Sequence, residues 1–90
     1  MSISIKTLSN NEYEVTVQSN TLTTHTVSLS DEVHKNLNNN KVTKEELLDF
    51  SIKFLLDREP NTSILSSFEL TVISRYFSDY ERSVEKWCRY

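Results

Sequence analysis

The chain has 90 residues, of which 37% are hydrophobic and 26% charged, and its formal net charge is −3. These values predict a single folded domain over residues 1–90 rather than a disordered segment. The chain contains no glycine, which excludes the glycine-rich loops that P-loop and dinucleotide-binding enzymes use to hold phosphates. Its one cysteine, Cys88, excludes an internal disulfide and a cysteine-based zinc cluster.

Two features that the sequence lacks, an export signal and a membrane-spanning segment, bear on the cellular compartment. The first ten residues, MSISIKTLSN, have neither the basic start nor the apolar stretch of an export signal. No apolar run approaches the length that spans a membrane. We therefore expect a cytoplasmic protein without a membrane partner.

Residues 1–29 are expected to form strands. Three segments alternate apolar and polar residues with a period of two, which is typical of strands with one covered face. The covered positions are Ile3 and Ile5, then Tyr13, Val15 and Val17, then His25, Val27 and Leu29. Short connections at 9–11 and 18–20 suit hairpins, so we predict a three-stranded antiparallel meander.

Residues 30–90 are expected to be helical. Ser30 can cap a short helix, and Thr43 with Glu46 has the spacing of a capping box that starts the main helix. That helix should end near Asp57, because Pro60 disfavours the helical conformation at the preceding residue. One or two short turns and a last helix follow. We predict an α+β fold in which three to four helices pack on one face of the meander.

The segment REPNTS, residues 58–63, raises the main question about a site. Arg58, Glu59 and Asn61, together with His25, are the candidates for an interaction or loop site. The same residues also suit a simple connection that stops one helix and starts the next. The sequence leaves both alternatives open.

Arg58 itself has two structural alternatives. Its guanidinium could bind the last carbonyls of the main helix, or it could pair with Asp57 or Glu59. A loss of thermal stability on substitution would mark it as structural.

The residues that usually carry catalysis do not form a recognisable set. His25 lies on the apolar face of its strand, where a packed, hydrogen-bonded role is expected. The carboxylates Glu45, Glu46 and Asp49 suit an ordinary helix start, which favours negative charge. We therefore predict no enzyme, no catalytic residue, no metal ligand and no cofactor.

Two resemblances add to these expectations. Residues 24–57, HTVSLSDEVHKNL followed by VTKEELLDFSIKFLL, resemble the strand-helix-helix of ribbon-helix-helix DNA-binding proteins and antitoxins, which act as homodimers. That resemblance implies that Thr24, Thr26, Ser28 and Lys44 would contact DNA. The strand, however, carries no arginine or lysine and already has a predicted neighbour within the chain.

The second resemblance covers more of the sequence. The segment FLLDREPNTSILSSFELTVISRYFSDYE, residues 54–81, is similar to a motif in a family of short uncharacterised bacterial proteins. The family implies one small domain and brings no activity with it.

These observations favour a small, non-enzymatic module that binds another protein or a second copy of itself. The main helix is more apolar than three strands can cover. A ribbon-helix-helix-like DNA-binding homodimer is the alternative, although the acidic balance does not favour nucleic acid. A small ligand binder or enzyme using Arg58, Asn61 and His25 is the third.

Overall fold

The computed structural model describes residues 2–38 and 42–88. It confirms the α+β class. The elements in chain order are β1 (Ser2–Thr7), β2 (Glu12–Gln18), β3 (Leu22–Ser28), α1 (Asp31–Asn38), α2 (Lys44–Leu56), a 3₁₀ turn (Asn61–Ser63), β4 (Ser67–Glu69), α3 (Val72–Tyr76) and α4 (Tyr80–Cys88).

The first three strands pair antiparallel in the order β1-β2-β3. The register aligns residues of the same parity: Ile5 faces Val15, and Val15 faces His25. In β2 and β3 the odd-numbered side chains are mostly buried, whereas their even-numbered neighbours remain exposed or partly exposed. The period-two pattern therefore identified which face of the sheet is covered.

The sheet has a fourth strand that the sequence interpretation missed. β4 pairs parallel to β3, with Val27 aligned to Phe68, in a region where short helical turns were predicted. The three predicted antiparallel strands are present, and the sheet is larger than predicted by one parallel strand. Three residues are too few to show a period of two, and the strand is visible only through its partner, which lies far away in the chain.

Helix α2 is the centre of the core, and its start follows the predicted capping box. The Thr43 hydroxyl accepts from the backbone N–H of Glu46 at 3.1 Å, and the Glu46 carboxylate accepts from that of Thr43 at 3.0 Å. Asp57 caps the other end, as predicted. The buried residues of the helix are Leu47, Leu48, Ser51, Ile52, Phe54 and Leu55.

A buried polar contact joins α2 to α4. The Ser51 hydroxyl donates to the carbonyl of Leu47 at 2.7 Å, so the phenol of Tyr80 is the donor in its 2.5 Å contact with Ser51. Burial raises the pKa of Tyr80 well above its ordinary value, although the Ser51 hydrogen bond acts in the opposite direction. Tyr80 therefore stays protonated and holds the two helices in one register.

Two kinds of feature are absent from residues 2–38 and 42–88. Among these residues, no helix is both long enough and apolar enough to cross a bilayer. The same residues contain no cluster of three or more histidine, cysteine, aspartate or glutamate side chains that could hold a metal ion.

Candidate functional site

The connection that follows α2 begins with Arg58, whose guanidinium joins two helices. Its Nη1 donates to the carbonyl of Phe54 at 3.1 Å, and its Nη2 donates to the Asp79 carboxylate at 2.8 Å. The guanidinium carbon also lies 3.6 Å from the centre of the Phe54 ring. A cation at the end of a helix interacts favourably with its free carbonyls, so Arg58 ties the last turn of α2 to the start of α4.

Asn61 joins the same connection to the sheet through side-chain hydrogen bonds. It is 5% exposed, and its amide nitrogen donates to the carbonyl of Thr21 at 2.8 Å and to the Thr23 hydroxyl at 2.9 Å. A third acceptor, the carbonyl of Val17, lies at the longer distance of 3.5 Å. The side-chain amide therefore satisfies its donors on the β2–β3 hairpin.

His25 continues this network, and its two partners indicate the tautomer. Nδ1 lies 2.8 Å from the carbonyl of Leu65, which can only accept, so Nδ1 carries the proton. Nε2 lies 2.9 Å from the Thr23 hydroxyl and, in the neutral ring, accepts from it. We call the group formed by Thr23, His25, Asn61 and the Leu65 carbonyl the polar latch.

The polar latch brings together two of the predicted site residues, His25 and Asn61, and leaves Arg58 elsewhere. Every member of the latch has a hydrogen-bond partner, and His25 is only 2% exposed. A ring with both nitrogens engaged and no access to solvent is not placed to exchange protons with a substrate. The arrangement instead determines where residues 61–65 lie against the sheet.

Next to the latch is a surface depression with a volume of about 320 Å³, which we call the apolar groove. It is bounded by the end of α2, the connection, β4 and α3. Its lining residues are Leu55, Glu59, Ser63, Ile64, Leu65, Phe68, Val72, Ile73, Tyr76 and Phe77. Two of them are large and unusually exposed for their type, Leu65 at 49% and Tyr76 at 70%. An apolar depression rimmed by such side chains is typical of a binding surface.

Among the residues that the structure describes, Glu59 is the only charged one that lines this groove. The residue is partly buried, and its backbone N–H donates to the carbonyl of Leu55 at 2.9 Å. Within residues 2–38 and 42–88 no hydrogen bond or ion pair to the Glu59 carboxylate is present. The neighbouring cation, Arg58, pairs with Asp79 instead. The mostly apolar lining of the groove therefore includes one carboxylate residue whose side chain has no hydrogen-bond or ion-pair partner among the described residues.

The four residues expected to contact DNA lie away from this groove. Thr24, Thr26 and Ser28 are on the side of β3 opposite His25 and Val27, which we call the polar face of the sheet. β3 is hydrogen-bonded to β2 along one edge and to β4 along part of the other. The ammonium of Lys44 donates to the Asp31 carboxylate at 2.6 Å and to the carbonyl of Asn10 at 2.9 Å.

The apolar groove was not foreseen from the sequence, although Glu59 on its wall was. Its other lining residues belong to consecutive elements within residues 55–77, and the apolar residues of each element alone resemble ordinary core. Tyr76 belongs to an aromatic segment that fits a buried stripe equally well. The one usable sequence signal for an exposed apolar surface was the main helix, which has more apolar residues than three strands could cover.

Comparison of the chain with protein-family models, curated proteins and solved structures finds no match. The two resemblances noted from sequence segments therefore stay predictions.

Proposed function

We propose that this chain is a non-enzymatic, cytoplasmic protein-interaction module whose apolar groove receives large apolar side chains of a partner protein. The observation that carries the proposal is the groove itself, with Leu65 and Tyr76 exposed at its rim. Tyrosine is enriched at the centres of protein interfaces, where its ring is buried and its hydroxyl finds a partner. Solvent exposure of these two side chains is unfavourable in the isolated domain and would end on binding.

The size of the groove favours a protein side chain over a cofactor. Its volume of about 320 Å³ lies at the lower end of the roughly 300–1,000 Å³ typical of ligand pockets. That space suits one or two bulky side chains, whereas a nucleotide would need more room and more polar contacts. The polar groups in the lining that belong to charged or hydroxyl side chains are those of Glu59, Ser63 and Tyr76.

Two features of the sheet make the DNA-binding alternative less favourable. In our proposal the helices cover one face of the sheet, and the polar face remains open. The described strand residues of that face include three glutamates and a single lysine, Lys6: the glutamates are Glu12, Glu14 and Glu69. This mostly acidic face is a poor match to phosphate. An intersubunit ribbon would also require β3 to give up a neighbour. Retention on DNA that weakens steeply with salt would favour the alternative instead.

The proposal is tested by crosslinking from the groove. A photoreactive phenylalanine analogue placed at Tyr76 should form an adduct with a partner in an extract of cells that express the protein. The same analogue at Leu22, which is 61% exposed but outside the groove lining, should not form that adduct.

Matched substitutions then establish whether the adduct depends on the groove. Leu65→Asp should reduce partner capture about tenfold or more, since binding would then bury an uncompensated charge against the apolar side chains of the partner. Leu22→Asp makes the same chemical change outside the groove and should leave capture unchanged. Equal capture by both variants would refute the proposal.

A further inference from the structure

The strongest unexplained feature of the groove is the unpaired carboxylate of Glu59. The residue is held in place by its backbone bond to Leu55 and by the polar latch, which orders the adjoining residues 61–65. Its nearest cation in sequence is committed elsewhere, because Arg58 contacts Phe54 and Asp79. A carboxylate between apolar side chains is tolerated only while water can reach it.

A partner that covers the groove changes the hydration of the Glu59 carboxylate. A partner that buries the apolar lining removes water from Glu59, and an uncompensated buried charge is strongly unfavourable. A partner cation placed against the carboxylate compensates for the lost hydration. A neutral partner supplies no such compensation, and an anionic one adds repulsion.

On these grounds we infer that the partner segment carries a lysine or arginine next to its apolar anchor, and that this cation pairs with Glu59. This inference rests on the proposed function and adds the charge of the partner to it. The net charge of −3 of the whole chain favours approach of such a segment as well. Glu59 is then the residue that determines which apolar segments bind.

The first test uses small probes and needs no knowledge of the partner. Titrations with 3-phenylpropylamine, 3-phenylpropanol and 3-phenylpropanoate would be followed through the backbone amide NMR signals of the groove residues. On the wild-type protein the amine should bind at least about threefold more tightly than the alcohol, as expected for a partly exposed ion pair. The propanoate should bind most weakly.

Glu59→Gln should remove the preference for the amine while the alcohol binds as before. Equal affinity of the amine and the alcohol for the wild-type protein would overturn the inference. So would an amine preference that persists in Glu59→Gln.

The second test uses the captured partner. Glu59→Lys should reduce capture about tenfold or more, whereas Glu69→Lys, the same charge change on the polar face of the sheet, should not. Replacing the lysine or arginine of the crosslinked partner segment by glutamate should restore binding to Glu59→Lys. Unaltered capture by Glu59→Lys, with capture still lost in Leu65→Asp, would overturn the role of the cation and leave the proposed function standing.

Discussion

At the scale of single residues, Arg58 shows how a side chain that looks functional in sequence is used for structure. It lies two residues before a proline in a polar segment, where a surface site is a natural expectation. In the fold its donors meet a helix carbonyl and Asp79, and its planar group stacks on Phe54. Its neighbour Glu59 makes no comparable contact among the described residues, so the two members of the pair have different roles.

We expect Arg58→Gln to lower the free energy of unfolding by about 1 kcal/mol. The loss comes from the carbonyl bond and the stacking on Phe54, whereas the partly exposed ion pair with Asp79 adds little. Urea unfolding measures the change. Arg75→Gln, an exposed arginine of α3, is the control and should stay within about 0.5 kcal/mol of wild type. An unchanged midpoint for Arg58→Gln would contradict the structural role.

At the scale of elements, the polar latch explains why the chain from α2 to β4 lies where it does. The connection is joined to the sheet by buried side-chain amide and imidazole bonds rather than by a continuous ladder. Pairing at β3–β4 starts just beyond it, with the N–H of Thr26 bonded to the carbonyl of Ser66 at 2.8 Å. The latch thus positions both β4 and the rim residue Leu65.

Removal of the latch amide should therefore affect both stability and binding. We expect Asn61→Ala to cost about 1–3 kcal/mol of unfolding free energy, because it removes the hydrogen bonds that the buried Asn61 amide donates to the Thr21 carbonyl and the Thr23 hydroxyl. Asn36→Ala, on the exposed side of α1, should cost nothing comparable. Chemical unfolding monitored by Tyr and Trp fluorescence distinguishes the two. A stability equal to wild type in Asn61→Ala would show that the latch is replaceable by water.

The elements that were predictable are those whose signal is local. The capping box at Thr43 and Glu46 needs only three residues of spacing, and the long strands show their alternation within themselves. β4 carries no such signal, because its three residues become a strand only beside Val27. The groove is less predictable still, since Leu55, Phe68 and Tyr76 meet only after the tertiary fold has formed.

At the scale of the whole molecule, Lys44 connects three parts of the chain that are separate in sequence. It starts α2, donates to Asp31 at the start of α1, and donates to the carbonyl of Asn10 in the β1–β2 turn. The hydrogen bond from Lys44 is the main reason that the pKa of Asp31 is lowered from its ordinary value. An amine this occupied is also a poor candidate for a phosphate contact.

This contact predicts a specific pH dependence. Because the pKa of Asp31 is lower in the folded state, its contribution to stability is present above the ordinary value of about 4 and is lost as the pH falls through the folded-state pKa. Lys44→Met should raise the Asp31 pKa toward the ordinary value and remove that acid-side loss. Carboxyl-carbon NMR titration measures the pKa of Asp31, and Lys6→Met is the control. An unshifted Asp31 midpoint in Lys44→Met would contradict the assignment.

The parallel pairing of β4 with β3 joins residues about 40 positions apart, and closing so long a loop costs chain entropy before the contacts within it are gained. The apolar groove takes Phe68 from β4 and Leu55 from α2, and Phe68 is positioned by the pairing of β4 with Val27 of β3. One wall of the groove therefore depends on a strand that lies outside it. A substitution in β3 that weakens this pairing should alter binding at the groove without changing any lining residue.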